Sequence, residues 1–196
     1  MNNVVDYFRE VELPEKYYEA CVTYNIINYF KEKRDECVFP FSISPVKERR
    51  EGYDFGYSIK KDFFLLQYKK PYKICNGYRW DIDREQLKVI VNNRYASVVY
   101  YALPKFDNYK MWYHALSEDN MKFIDSITLQ TYLERTNKRS INTRCEELKD
   151  WEQVIFELFS KTGYKSVLAD KKQEFVEEIM DLVLMEGVIG YEIERR

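Results

Sequence analysis

The stretch DFFLLQYKK, residues 62–70, constrains the fold of this chain more than any other part of the sequence. Alternate side chains of a strand share a face, so each face of this strand receives one phenylalanine and one leucine. A strand that is apolar on both faces must be covered on both, which predicts the central strand of a sheet between two layers. The strand ends with Gln67 and Lys69 on one face, although an amide and an ammonium are unusual in a buried strand.

The surrounding pattern predicts an α/β arrangement. Pro14 suits the first turn of a helix whose apolar residues recur at helical spacing, and Asp83 suits the N-cap of a second helix. The predicted elements are helix 15–33, strands 37–44, 53–59 and 62–70, helix 83–94, and strands 97–103 and 121–129. This order predicts an α/β fold with a mixed central sheet flanked by helices.

The remaining third of the chain is predicted to be mainly helical. Residues 146–161 and 170–187 have amphipathic patterns, and residues 188–194 favour a short strand. We therefore expect an α/β core in residues 1–129 and a helical C-terminal extension in residues 130–196. The apolar face of the first of these helices predicts that the extension packs on the core or forms a dimer interface.

Composition argues against several classes of protein. No apolar run reaches the length of a transmembrane helix, and the acidic stretch at residues 1–18 lacks the features of a signal peptide. We therefore expect a cytoplasmic protein with no membrane partner. The four cysteines include no CxxC pair and His114 is the single histidine, which argues against a zinc site and a histidine-based hydrolase triad.

Charge is distributed unevenly along the chain, although the formal net charge is only −2. Residues 47–110 hold 14 Lys and Arg against 8 Asp and Glu, while both flanking segments are acidic. A basic segment of this kind is typical of a phosphate-binding surface, although a chance excess spread over several faces would give the same count. Tyrosine is abundant, with 18 residues, and it serves base stacking and half-buried packing equally well.

Asp54 lies 13 positions before Gln67, on the preceding predicted strand. If the two strands pair as a hairpin, Asp54 comes alongside Gln67 and Lys69 at one end of the sheet. A carboxylate and an amide oxygen are hard ligands for Mg²⁺, a bound ion can acidify a water molecule, and an ammonium can stabilise charge that develops on a phosphate. Glu19 on the first helix, or a main-chain carbonyl, could complete the metal coordination.

Each of these residues also has an interpretation without chemistry. Asp54 can be a turn acid, Gln67 a core amide bonded to the main chain, and Lys69 the point where a strand emerges into solvent. Glu48 and Glu51 lie close to Asp54 in the sequence and are alternative metal ligands. The agreement of strand burial, spacing, element order and local charge favours a shared site for these residues, with catalysis and binding both open as its role.

The motif GYD, residues 52–54, followed at this distance by LLQYK, residues 65–69, resembles the PD-(D/E)xK nuclease superfamily. More narrowly, it is similar to the Mrr-like restriction endonuclease branch, in which glutamine replaces the second acid to give a QxK motif. The similarity covers about residues 15–106 and implies a restriction-endonuclease-like core. The catalytic residues that it implies are Asp54, Gln67, Lys69 and Glu19, and the implied ligands of Mg²⁺ or Mn²⁺ are Asp54, Gln67 and Glu19.

By this resemblance the chain is a metal-dependent nuclease, with double-stranded DNA as the expected partner and defence against foreign DNA as the expected role. The basic residues expected to contact nucleic acid are Lys60, Lys61, Lys70, Lys73 and Arg79. The resemblance also allows a homodimer or a companion subunit. Two alternatives stay open: a catalytically inactive nuclease-fold module that binds nucleic acid or a partner protein, and an interaction protein with no nucleic-acid role.

Overall fold

The structure, a computed structural model, describes residues 12–42, 51–59 and 62–160. Its helices are α1 (Glu15–Arg34), α2 (Arg84–Asn92), α3 (Ser126–Thr136) and α4 (Trp151–Ser160). Its strands are β1 (Phe39–Ser42), β2 (Phe55–Ile59), β3 (Asp62–Tyr68), β4 (Tyr72–Ile74), β5 (Gly77–Asp81), β6 (Val99–Pro104), β7 (Met121–Asp125) and β8 (Ser140–Asn142). Short 3₁₀ helices are also present at Ala96–Val98 and Tyr109–His114.

The main sheet has five strands in the order β1–β2–β3–β6–β7. Strands β2 and β3 form the predicted antiparallel hairpin, β3 pairs with β6 in parallel, and the outer pairs are antiparallel. The sheet is therefore mixed, and β3 is its central strand. Helices pack on both faces, so the predicted α/β class with a mixed sheet flanked by helices is confirmed.

The two faces of β3 belong to two separate cores. Phe64, Leu66 and Tyr68 pack in a first core with residues of α1 and α4, whereas Phe63 and Leu65 pack in a second core with residues of α2 and α3. All five side chains are at most 1 % exposed. Burial on both faces explains the uninterrupted apolar run of this strand, because each Å² of apolar surface removed from water contributes about 25 cal/mol.

A second sheet of three strands, in the order β4–β5–β8, follows the end of β3 and was not predicted from the sequence. Its two-residue turn, Cys75 and Asn76, is followed by Gly77 with a φ of 120°, a value that favours glycine. All three residues of β4 are exposed, so this strand lacks the apolar alternation that would reveal it. Trp80 anchors the small sheet, because its buried indole donates to the Pro104 carbonyl of β6 at 2.9 Å.

The predicted strand 121–129 is too long. Strand β7 ends at Asp125, whose side chain accepts from the Thr128 amide at 2.9 Å and caps α3. Helix α3 therefore runs across the predicted boundary between residues 129 and 130, and β8 pairs with β5 beyond it. The division into residues 1–129 and 130–196 stays a prediction.

Helix α4 lies on the first core. Trp151 and Ile155 are buried there, and the Asp150 side chain caps the helix by accepting from the Gln153 amide at 3.0 Å. Leu148, which lies within the predicted helix 146–161, packs on the second core instead. The apolar stripe of this segment is thus divided between the two cores.

Residues 161–196, with the predicted helix 170–187 and the predicted strand 188–194, lie outside the described residues. The predicted helix 15–33 corresponds to α1 within one residue. In the part of the chain that the structure describes, no helix combines the length and the apolar character that crossing a membrane requires.

Candidate functional site

Asp54 lies immediately before β2, where the chain passes close to α2. Gly52 has a φ of +83°, and a Cβ at this position would lie 2.5 Å from Cγ1 of Ile90, so only glycine permits this approach. The Asp54 amide donates to the Leu66 carbonyl at 3.0 Å, which extends the β2–β3 pairing by one residue. Asp54 is 7 % exposed and is thereby held beside the end of β3.

The Asp54 carboxylate and the Gln67 side chain are in direct contact. Oδ2 of Asp54 accepts from Nε2 of Gln67 at 2.8 Å and from the Tyr68 amide at 2.7 Å. The same Nε2 also donates to the Tyr68 carbonyl at 3.1 Å. Two oxygen atoms therefore converge on one nitrogen in a site that is almost fully buried.

Lys69 reaches this cluster through Gln86, a residue that was not singled out from the sequence. Nζ of Lys69 donates to Oε1 of Gln86 at 2.9 Å, and Nε2 of Gln86 donates to Oε1 of Gln67 at 3.1 Å. Gln86 lies in the first turn of α2, whose N-cap is Asp83, as predicted. The sequence could have revealed Gln86 by its position four residues before Ile90. This spacing places Gln86 and Ile90 on the same face of α2, the face that packs against the sheet.

These four side chains form a continuous run of hydrogen bonds, which we call the amide relay. Lys69 donates to Gln86, Gln86 donates to Gln67, and Gln67 donates to Asp54. The run begins at the Lys69 ammonium and ends at the Asp54 carboxylate, and each donor in it faces an acceptor. A buried polar network of this kind is stable only when its members are paired.

The oxygen atoms of the amide relay are of the type that Mg²⁺ prefers. Oδ2 of Asp54 and the Tyr68 carbonyl oxygen both accept from Nε2 of Gln67, and a half-turn of the Gln67 amide would turn its own oxygen toward these two oxygens. Mg²⁺ prefers oxygen ligands and keeps several waters when few carboxylates bind it. Among the described residues no group of three or more His, Cys, Asp or Glu could hold a metal, so the relay offers one carboxylate with two neutral oxygens.

Glu19 approaches from the opposite face of the sheet. It lies on α1, is 4 % exposed, and pairs with the Lys16 ammonium at 2.7 Å. Burial raises the pKa of Tyr57, its hydrogen bonds with Thr23 and Tyr68 lower it in part, and the nearby carboxylates, that of Glu19 among them, raise it again. The predicted fourth site residue is therefore paired with a lysine on the other face of the sheet rather than bonded within the amide relay.

Tyr101 is a further residue of the site that was not singled out from the sequence. It pairs with Gln67 across the parallel β3–β6 ladder, and its buried hydroxyl has no hydrogen-bond partner among the described residues. Burial, and then the carboxylates of Asp54 and Asp83, raise the pKa of this hydroxyl. An unpaired buried hydroxyl is uncommon in proteins. The hydroxyl of Tyr101 is therefore a candidate for a role in this site.

The basic residues expected to contact nucleic acid are already paired with acids where the structure describes them. The ion pairs are Lys70 with Glu12 at 2.6 Å, Lys73 with Asp107 at 3.0 Å, and Arg79 with Asp81 at 3.1 Å. Lys60 and Lys61 lie outside the described residues. Ion pairs with a solvent-exposed partner are weak, so these pairs add little to stability.

The alternative acids do not join the amide relay in the described part of the chain. Oε2 of Glu51 accepts from Nδ2 of Asn93 at 2.6 Å, at the C-terminal end of α2. Gln86 lies at the other end of this helix, about 10 Å away along its axis. Glu48 lies outside the described residues.

Comparison with known proteins decides the type of fold. No family profile matches this sequence, and no curated protein matches it. The structure is similar to that of D212, a nuclease from a fusselovirus, with a TM-score of 0.51 and 16 % sequence identity, over 79 % of this chain and 99 % of that chain. This chain has a nuclease-like fold.

In this nuclease-like fold, the central strand of the sheet is the one that carries Gln67. A fold hosts many activities, and function depends on the chemistry of the site. The amide relay, at the end of that strand, is therefore the place from which a function has to be argued.

Proposed function

We propose that this chain is a metal-dependent nuclease that hydrolyses phosphodiester bonds in DNA. The observation that carries the proposal is the direct, buried contact between Asp54 and Gln67, to which Lys69 is joined through Gln86. A carboxylate and an amide are expensive to bury, so the buried pair of Asp54 and Gln67 calls for an explanation, and catalysis supplies one. The nuclease-like fold supports the same conclusion.

The metal ion would be Mg²⁺ or Mn²⁺, held by Asp54, by the amide oxygen of Gln67 and by the Tyr68 carbonyl. When bound, such an ion acidifies a coordinated water and offsets negative charge on a phosphate. The Tyr68 amide holds the Asp54 carboxylate in place, so this ligand is positioned before the ion arrives. We retain Glu19 as a further ligand, a role that requires it to leave Lys16 and to reach the ion from the α1 side of the sheet.

Lys69 would place a positive charge beside the scissile phosphate. Its side chain is half-buried at the edge of the amide relay, where Nζ can exchange Gln86 for a phosphate oxygen. A positioned cation stabilises the negative charge that develops in the transition state. The hydroxyl of Tyr101 has no hydrogen-bond partner among the described residues and can donate to a water molecule at the same site.

We propose double-stranded DNA as the substrate, and the contacting residues are Lys60, Lys61, Lys70, Lys73 and Arg79. The guanidinium of Arg79 lies over the exposed ring of Tyr72, 5.6 Å from its centroid, which gives this surface an aromatic contact as well as charge. The resemblance to the Mrr-like QxK branch supports a cytoplasmic role in defence against foreign DNA. A homodimer or a companion subunit is part of the same proposal.

A catalytically inactive module that binds nucleic acid is the second candidate. One observation favours it: Gln67 turns its nitrogen rather than its oxygen toward Asp54. Such a module would bind duplex DNA with an affinity that falls as salt rises, because phosphate contacts release counterions, and it would cut none.

Plasmid cleavage by four variants, measured with Mg²⁺ and with EDTA, tests the proposal. Asp54→Asn removes the charge of the metal ligand and Lys69→Met removes the ammonium, so each should slow cleavage by about 10²-fold or more. Gln67→Glu supplies a carboxylate of the same length and should retain cleavage, whereas Gln67→Leu should abolish it. Melting temperatures of Asp54→Asn and Lys69→Met should stay near that of the wild type.

Two control variants keep the charge changes of this series but lie away from the relay. Asp35→Asn is exposed at a φ of 50°, which asparagine also adopts, and Lys88→Met is exposed on α2. Both should cleave as the wild type does. The proposal fails if Gln67→Glu unfolds the protein while Lys69→Met cleaves normally. A wild type that binds DNA and cuts none with Mg²⁺ points to the inactive module.

A further inference from the structure

The amide relay has a direction. Each hydrogen bond runs from donor to acceptor along the order Lys69, Gln86, Gln67, Asp54. A side-chain amide carries its donor and its acceptor on one planar group, so a half-turn exchanges them. A half-turn of Gln67 alone would set two oxygens against each other at Asp54 and two nitrogens against each other at Gln86.

A cation beside Asp54 reverses the preferred direction of the relay. Facing the ion, Gln67 must present its oxygen, and its nitrogen then faces Gln86. Gln86 must turn its own oxygen toward that nitrogen in order to accept from it. The nitrogen of Gln86 is then directed at the Lys69 ammonium, and since both groups are donors, their hydrogen bond is lost.

We propose that Gln86 is a positioning residue that couples cation binding at Asp54 to the release of Lys69. The proposal rests on the function proposed above, because it requires a cation in the amide relay. In the structure, Lys69 is bonded to Gln86 at 2.9 Å. With the cation bound, the ammonium is free to turn toward a substrate phosphate, so the lysine becomes available only when the metal site is filled.

Glutamine is the residue type that this role requires. The main chain of Gln86 is held by the Asp83 cap at 3.2 Å, while its amide can bond Gln67 in either orientation. A leucine at position 86 cannot hydrogen-bond Gln67 in either orientation of the Gln67 amide. It also removes the oxygen that accepts from the Lys69 ammonium. Glutamate only accepts, so it supports the metal-binding orientation of Gln67 and yet keeps Lys69 bound. The two substitutions therefore break the coupling in opposite ways.

Amine labelling of Lys69 tests the coupling without DNA and without turnover. The full-length protein is acetylated with an N-hydroxysuccinimide ester, with and without saturating Mg²⁺, and acetylation at each lysine is quantified by mass spectrometry. Lys88 is the internal control, because it is exposed on α2, the helix that carries Gln86, and is bonded to Glu85 at 2.7 Å. In the wild type, Mg²⁺ should raise labelling of Lys69 severalfold and leave Lys88 unchanged.

The Gln86 variants separate positioning from a merely structural role. In Gln86→Leu, labelling of Lys69 should be high with and without Mg²⁺. In Gln86→Glu, it should be low in both conditions, although titration calorimetry still detects Mg²⁺ binding. Asp54→Asn should abolish both the calorimetric signal and the response of Lys69.

The possible failures are distinguishable. Calorimetric Mg²⁺ binding by the wild type with unchanged labelling of Lys69 would overturn the coupling and leave the proposed nuclease standing. A Gln86→Leu variant whose Lys69 still responds to Mg²⁺ as in the wild type would overturn the assignment to Gln86. A wild type that binds no Mg²⁺ would overturn the metal-dependent function and the coupling together.

Discussion

At the scale of single residues, two buried tyrosines on opposite sides of the sheet differ in how their hydroxyls are paired. The hydroxyl of Tyr57 bonds to those of Thr23 and Tyr68, each at 2.7 Å, on the α1 side of the sheet. The hydroxyl of Tyr101, on the α2 side, has no hydrogen-bond partner among the described residues. A hydrogen bond contributes about 1 kcal/mol net to stability, and an unpaired buried polar group costs about 1–3 kcal/mol. The two tyrosines should therefore respond in opposite directions when the hydroxyl is removed.

Tyr101→Phe should leave the free energy of unfolding unchanged or raise it by about 1 kcal/mol, whereas Tyr57→Phe should lower it by about 1–2 kcal/mol. Urea denaturation followed by tryptophan fluorescence measures both changes. If the Tyr101 hydroxyl serves the reaction, its variant should also cleave DNA more slowly at undiminished stability. An equal loss of stability in the two variants would show that the Tyr101 hydroxyl is paired.

At the scale of the element, one carboxylate determines where β7 ends and α3 begins. Asp125 caps α3 through the Thr128 amide and also accepts from Nζ of Lys149 at 3.2 Å. Burial by itself raises the pKa of Asp125, but the hydrogen bonds from Thr128 and the charge of Lys149 outweigh it and hold the pKa below its usual value. This contribution to stability is therefore present above the unfolded pKa of about 4 and is lost as the pH falls through the folded pKa.

Asp125→Asn should lower stability at neutral pH and flatten its dependence on acid. Asparagine can still cap the helix, but the attraction to Lys149 is lost. Chemical denaturation should show the wild type to be more stable by about 1–2 kcal/mol at pH 7 and this gap to shrink at pH 3. Asp35→Asn, at an exposed position, serves as the control. A gap of the same size at both pH values would contradict the lowered pKa.

Short sequence patterns predicted those helices and strands that depend on residues close together in the sequence. The periodicity of α1, the Asp83 cap of α2 and the apolar alternation of the β2–β3 hairpin are all visible in the sequence. The pairing of Tyr101 with Gln67 arises because β6 returns parallel to β3 after α2. No local pattern encodes this long-range pairing, and it also sets α2, and with it Gln86, over the end of β3. The exposed strand β4 was missed because it has no apolar face.

At the scale of the whole molecule, the central strand divides the protein into two cores with different tasks. The first core joins α1 and α4 to the sheet and contains large side chains such as Phe30, Tyr57 and Trp151. The second core fixes α2 and α3, through residues such as Leu87 and Leu129. The amide relay spans the end of β3 and the first turn of α2, so the second core is what holds Gln86 beside Gln67.

If Asp54 and Gln67 form the metal centre of a nuclease, a crystal structure with Mn²⁺ located by its anomalous scattering shows it most directly. We predict an anomalous peak in contact with the Asp54 carboxylate and the Gln67 amide oxygen, with Nζ of Lys69 no longer bonded to Gln86. Crystals at saturating Mn²⁺ with no peak at Asp54, and with Nε2 of Gln67 still 2.8 Å from the Asp54 carboxylate, would contradict the metal centre.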